Sequence, residues 1–370
     1  MSKPFHIQDR ILGLLRLFSW RPPATGVLLV SAGGLGDTVL FSLILPRLVG
    51  LAEDGEQVTL LIRREAAKMA FLLPPELTVM AIDFKLLRHS LKYRRKQFRG
   101  LFNSHYRLAV CTDYLRHPDL DESLIRAAAP QQALAMEPRP WPKHDRALRK
   151  NRTLYRRLFD SGPLHVDKVV RWSRLADWLT GTVEPAPTVS IPRDRIAGTA
   201  PNDSPEVMIQ PFSAVKLKQS PPDLYRQIID RLPSGTRITL TGAPSDLDNN
   251  PEFKALLKLP NVEFDPATFA DLAAKLMAAR LVISVDTALM HLAIALGAPT
   301  IGLASAAYVG EIVPYAPEIT PPNAHILFQP MDCQGCLGAC PKAPIDGMYP
   351  CIAGLQSERI MAAVDAVFRA

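Results

Sequence analysis

The stretch from Leu281 to Leu303, LVISVDTALMHLAIALGAPTIGL, constrains this chain more than any other. Val282, Ile283 and Val285 form a β-branched apolar run of strand character. Asp286 and Thr287 are residues that start helices. Met290, Leu292, Ala293, Ala295 and Leu296 fill the predicted helix, and Gly297 with Pro299 stops it. A second apolar strand, Thr300 to Leu303, follows. A strand, a polar helix start and a short helix make half of a nucleotide-binding α/β unit. The unpaired amides of such a start, here at residues 287–289, point toward an anion. His291, in the first turn, reaches the same place. An ordinary capped helix with a solvated or core-edge histidine needs the same residues, so both readings stay open on this stretch alone.

A counterpart lies near the other end. GVLLVS (26–31) reads as a buried strand, followed by Ala32-Gly33-Gly34-Leu35-Gly36-Asp37 and a predicted helix from Thr38 to Val49. Glycines there let the backbone turn sharply and come close to a ligand. The spacing is not G-x-G-x-x-G and no Walker lysine follows, so neither a nicotinamide nor a P-loop reading is supported. Asp37 sits where strand gives way to helix, at the carboxyl edge of a parallel sheet, where α/β ligands bind. A helix cap and a ligand-facing carboxylate are both consistent with that position. Further strands are predicted at 58–62, 77–82 and 108–112, and Asp113 ends the last of them on the same edge. Helices near 145–160 and 166–180 are expected to close this domain.

Residues 181–206 are rich in Pro, Ser, Thr and Gly and read as a linker. A second α/β set then begins at Val207-Met208-Ile209. It continues with a helix near 222–232, a strand at 237–240, a helix near 251–258, a short strand at Val262 and a helix at 268–279. After residue 304 the pattern loosens into Pro-rich loops and clustered cysteines. The predicted fold is α/β, with two Rossmann-like domains built on parallel sheets. The boundaries are an N-terminal extension (1–25), a first domain (26–182), a linker (183–205), a second domain (206–356) and a C-terminal helix (357–370). A length of 370 residues suffices for two such cores.

The net charge of +7 is not spread evenly. Lys85, Arg88, Lys92, Arg94, Arg95, Lys96, Arg99 and Arg107 form one run without an acid between them. Arg139 to Arg157 form a second, with Asp145 as its one acid. Either is a solvated helix face or a patch for a polyanion. No zinc-finger, helix-turn-helix or aromatic RNA-binding signature accompanies them, so an anionic saccharide or acidic lipid is expected rather than nucleic acid. Arg94 and Arg95 are candidate acceptor contacts. At the N-terminus, Ile11, Leu12, Leu14, Leu15, Leu17 and Phe18 with Arg10 and Arg16 suggest a basic amphipathic helix, for core packing, chain pairing or an inner-leaflet membrane surface. Charge within that apolar stretch, and no small-residue cleavage site, do not fit a signal peptide. The expectation is a cytoplasmic protein, peripheral at the inner membrane, of open oligomeric state.

Of five cysteines, four cluster as Cys333-x2-Cys336-x3-Cys340-x10-Cys351. They suit a tetrathiolate site for structural zinc or iron, or reduced thiols without metal, rather than disulfides.

SAGGLGDTVLFSLILPRL (31–48) resembles the amino-terminal signature of the bacterial lipopolysaccharide heptosyltransferases, glycosyltransferase family 9. ISVDTALMHLAIALGAPTIGL (283–303) is similar to their second signature, Asp-Thr-Gly-x-x-His-x-Ala-x-Ala-x-Gly-x-Pro. The resemblance runs from about 26 to 365. It implies the B-type glycosyltransferase fold, in which two Rossmann domains face each other across a cleft, the second holding an ADP-sugar and the first the acceptor. It implies Asp37 as general base, with Gly34, Gly36 and Asp113 on the acceptor side. Lys218 would offset leaving-group charge, while Asp286, Thr287, the backbone of Ala288 and Leu289, and His291 hold the diphosphate. Ser213 would face a phosphate and Asp246 the nucleotide ribose. Ala288 replaces the family's Gly, Ser220 stands where an aromatic is usual, and Lys216 competes with Lys218. The implied reaction is inverting transfer of heptose from ADP-heptose to an anionic acceptor such as lipopolysaccharide inner core, with no cofactor required for catalysis. A protein (adhesin) acceptor, a nucleotide-sugar epimerase and a non-catalytic binding scaffold are the alternatives.

Overall fold

The structure, a computed structural model, describes residues 5, 8, 9, 11, 13, 14, 19–196 and 206–369. Much of the expected N-terminal amphipathic helix (Arg10, Leu12, Leu15, Arg16, Leu17, Phe18) and linker residues 197–205 lie outside the described residues. The chain forms two compact units, Met1–Leu164 with Arg171–Pro185, and His165–Val170 with Ala186–Ala370. Residues 165–170 thus belong to the second unit, although the sequence pattern places them inside the first. Among the described residues no helix is long and apolar enough to cross a membrane.

The first unit holds six parallel strands: β1 (Val27–Val30), β2 (Val58–Arg63), β3 (Thr78–Ile82), β4 (Leu108–Cys111), β5 (Gln132–Met136) and β6 (Arg157–Phe159). They lie in the order β3-β2-β1-β4-β5-β6. Val27 is level with both Val58 and Leu108. The second unit repeats the plan with β7 (Val207–Gln210), β8 (Ile238–Thr241), β9 (Val262–Asp265), β10 (Leu281–Val285), β11 (Thr300–Ala304) and β12 (Ala324–Phe328). Their order is β12-β11-β10-β7-β8-β9. In each sheet the winding reverses beside the first strand, between β1 and β4 and between β7 and β10. That reversal opens a crevice at the carboxyl ends of those strands, and ligands of doubly wound sheets bind there.

The central strands are fully buried, as strands covered by helices on both faces must be. Each large apolar side chain so buried contributes about 1.5–3 kcal/mol. The helix Ser357–Arg369 places Ile360, Val364 and Phe368, four residues apart, as one stripe in the core of the second sheet.

Three predicted helices are corrected. The helix expected over Thr38–Val49 begins earlier and is broken, as Leu35–Phe41 and Leu45–Val49. The one expected near 145–160 stops at Asn151 and gives way to a 3₁₀ turn and β6. The stretch 251–258 is a 3₁₀ rather than an α-helix. Strands β5, β6 and β12, not named from the sequence, complete the sheets. QALAM has no β-branched residue, β6 has three residues, and AHILF is only half-buried at an edge. Neighbouring strands, not local propensity, hold these segments extended.

Candidate active site

In the first unit, Gly34 opens the helix Leu35–Phe41 and Asp37 is its third residue. The Asp37 carboxylate accepts the Gly34 amide at 2.8 Å, so it caps its own helix. A Cβ at Gly33 would lie 2.5 Å from Asp37 Cβ. Only glycine therefore lets the loop pass this close, and the contact fixes where the carboxylate sits. Gly36 lies in the first helical turn. Asp113, at the end of β4, accepts the Ala32 amide at 2.5 Å, tying the two strand ends at the reversal together. Behind it Asp121 is fully buried, and burial, with the Asp113 charge second, lifts its carboxyl to about 7.

Two expected acceptor contacts fare differently. Arg94 is 1% exposed. Its guanidinium pairs with Asp9 at 2.7 Å and lies 4.3 Å over the Phe98 ring, so it is not offered to an anion in solvent. The reason is helical spacing: residue 94 shares the buried stripe of Phe98 and Leu101 on the helix Leu91–Ser104. Arg107 of the same run is likewise engaged, with Glu56 at 2.6 Å, and holds that carboxyl down to about 2. Arg95 is exposed and lines a cavity of about 830 Å³ together with Ile11, Trp20, Arg99 and Phe102.

In the second unit the β7–β10 crevice gathers most of the remaining candidates. Lys218 ends a 3₁₀ turn, and its ammonium pairs with Asp286, at the end of β10, at 2.9 Å. It also lies 4.4 Å over the Tyr308 ring. Lys216 turns away to the Asn249 carbonyl at 2.6 Å and is exposed, so of the two lysines Lys218 is the one at the end of β10. Thr287 starts the helix Ala288–Ala295 without a side-chain cap, because its hydroxyl donates to Gln210 at 2.9 Å. The first amides of that helix, at Ala288 and Leu289, therefore have no N-cap side chain on them. His291 is 3% exposed, neither solvated nor at the core edge, and its Nδ1 lies 2.6 Å from the Tyr315 hydroxyl. Ser213 closes the loop after β7, its hydroxyl accepting the Val215 amide at 3.2 Å. Asp246, after β8, accepts the Ala243 amide at 2.7 Å.

Gln210, Tyr308 and Tyr315 were not anticipated. A glutamine ending the apolar strand VMIQ is a readable signal; the two tyrosines carry none, since only folding brings them to Lys218 and His291.

Cys333, Cys336, Cys340 and Cys351 line one small cavity of about 10 Å³, closed by Ala306 and Tyr349. Burial raises the Cys333 thiol, and the neighbouring Cys340 and Cys336 add to it. Four thiols are a soft donor set that fits zinc or iron, although among the described residues no group of three or more His, Cys, Asp or Glu side chains is arranged to hold an ion. The segment backs the lysine site, since the Tyr349 amide donates to the Leu217 carbonyl at 2.8 Å.

The family model for glycosyltransferase family 9 (heptosyltransferase) matches residues 141–336. E. coli heptosyltransferase WaaC, solved with ADP, is 19% identical with a TM-score of 0.67, covering 93% of this chain and 100% of that one. E. coli ADP-heptose lps heptosyltransferase II gives 15% and 0.62, over 93% and 99%. The dodecameric iron-containing heptosyltransferase TibC, in complex with ADP-D-beta-D-heptose and also solved from enterotoxigenic E. coli, gives 13% and 0.51, over 95% and 78%. At these identities the likeness is one of fold. No curated protein matches the chain.

Proposed function

We propose, for a chain that belongs to glycosyltransferase family 9, the heptosyltransferases, an inverting transfer of heptose from ADP-heptose to an anionic saccharide such as lipopolysaccharide inner core. The B-type glycosyltransferase fold provides the frame. The acceptor hydroxyl attacks the anomeric carbon from the face opposite the nucleotide while Asp37 takes its proton. The bond to the diphosphate breaks, and the charge left on ADP meets Lys218, the amides at the start of the helix Ala288–Ala295, and His291. These are preorganised donors, which act without reorganising at the moment of reaction. Thr287 and Asp286 hold that start and the lysine in place; Ser213 faces a phosphate and Asp246 the ribose. Gly34, Gly36, Asp113 and Arg95 take the acceptor. No cofactor enters the chemistry. A basic surface around Arg95 and Arg99 suits an anionic acceptor or an inner-leaflet membrane surface.

The observation that carries this reading is the Lys218–Asp286 pair at 2.9 Å beside a helix start that lacks a side-chain cap. Thermal melting with ADP-, UDP- and GDP-sugars tests it. ADP-heptose at about 100 times its dissociation constant is expected to add about 2.7 kcal/mol of apparent stability. A shift with UDP- or GDP-sugars alone overturns the donor, and no shift with any of them overturns the transferase reading.

The cysteine-lined cavity favours one addition to this reading, a structural metal, because a solved protein of this fold is described as iron-containing. Cys333, Cys336, Cys340 and Cys351 would hold a structural zinc or iron that steadies the segment behind Lys218, with no step of the transfer running through it. Elemental analysis of the purified chain is expected to give one equivalent of metal, lost in Cys336→Ser. A metal-free wild type would mean four reduced thiols.

A further inference from the structure

A neutral imidazole carries a single proton, and only the nitrogen that bears it can donate to a phosphate oxygen. The bond made by the other nitrogen decides which one that is. Nδ1 of His291 faces the Tyr315 hydroxyl at 2.6 Å, in a buried contact. Burial, and then the carboxylates of Asp167 and Asp286, push the Tyr315 phenol well above its ordinary value. The hydroxyl therefore keeps its proton, and among the described residues it has no hydrogen-bond partner other than His291. A buried O–H left without an acceptor is costly, so the hydroxyl donates to Nδ1 and the proton of the neutral ring sits on Nε2. The loop carrying Tyr315 is itself anchored. The Ala316 amide donates to Asp167 at 3.1 Å, Asp167 in turn accepts the Val169 amide at 2.8 Å, and the Thr320 hydroxyl donates to the Tyr315 carbonyl at 3.3 Å. Asp167 lies on residues 165–170, the short piece that leaves the sequence of the first unit to join the second.

We propose that Tyr315 is a positioning residue that holds His291 as the Nε2–H tautomer, so that the nitrogen remote from Tyr315 donates to the donor's diphosphate, and that Asp167 holds the Tyr315 loop for this purpose. The second half of this statement rests on the donor site described above; the tautomer does not. Without the phenol, Nδ1 loses the donor that keeps it unprotonated, and a ring protonated at Nδ1 would turn a lone pair toward the phosphate.

Long-range ¹H–¹⁵N correlation of the imidazoles tests this on the ligand-free protein, at about pH 8, above the ordinary imidazole value near 6.5. The chain has eight histidines, so the His291 pattern is assigned by its loss in His291→Gln. A pyridine-type Nδ1 and a protonated Nε2 are expected. In Tyr315→Phe the Nδ1 signal is expected to move away from the pyridine-type position, and the dissociation constant for ADP, read by calorimetry, to rise about tenfold, or about 1.4 kcal/mol. A wild-type ring protonated at Nδ1 overturns the proposal. So does a Tyr315→Phe protein that keeps both its tautomer and its ADP affinity. Should that variant not fold, the wild-type spectrum still decides. A wild type that fails to bind ADP sinks the donor assignment but leaves the tautomer result standing, so the two failures are told apart.

Discussion

Asp37→Asn is expected to lower kcat by about 10²–10⁴-fold, the contribution of general-base catalysis, while the melting temperature stays close to that of the wild type. The substitution separates two roles that the geometry leaves superposed. Asp37 accepts the Gly34 amide at 2.8 Å and so caps the helix Leu35–Phe41. An asparagine oxygen accepts the same bond at a cost of a few tenths of a kcal/mol to about 1 kcal/mol, since Asn and Asp are comparable in capping positions. It cannot take a proton from an acceptor hydroxyl. Steady-state turnover with unchanged melting would place the loss in chemistry. Normal turnover would reduce Asp37 to a cap. Gly33 sharpens the expectation, because the loop at that point is packed on Asp37 too closely for any side chain, and a base works only where its oxygen is held within reach of the proton.

Lys218→Met is expected to lose about 10²–10³-fold in kcat, the usual effect of removing one preorganised donor at developing charge. It should also destabilise the fold by about 3–5 kcal/mol, because it strands the Asp286 carboxylate, whose side chain is 5% exposed, without its counter-ion. These two losses have different remedies. In Lys218→Met with Asp286→Asn the buried charge is gone as well, so most of the stability returns while turnover does not. Denaturant melts and single-turnover rates on the two variants check it. Recovery of turnover in the double variant would show that Lys218 serves only to neutralise Asp286.

The doubly wound sheets could be read from the chain because buried parallel strands are short, continuous apolar runs, and VLLV and LVISV are both. The candidate site was legible where it depends on local grammar. Asp37 follows a strand in a glycine loop, and Asp286-Thr287 follows another at a helix start. It was not legible where it depends on which side chains the fold brings together. Arg94 looked like surface charge because its acid partner, Asp9, lies far back along the chain. Which of Lys216 and Lys218 reaches the end of β10 depends on where a 3₁₀ turn points its third residue, and that residue is Lys218.

The sequence by itself determined two α/β units, the carboxyl edges of their sheets as the places to look, and the residues that start the helices there. Those follow from periodicity and from backbone groups left unpaired at strand and helix ends, which are properties of neighbouring residues. Only the tertiary structure decided that His291 is buried against Tyr315, that Gln210 draws the Thr287 hydroxyl away from its helix, that four cysteines converge on one cavity, and that residues 165–170 join the second unit. Each of these joins segments distant in the chain. Such contacts form because burying apolar surface forces the segments together, and no local pattern records which polar groups then meet.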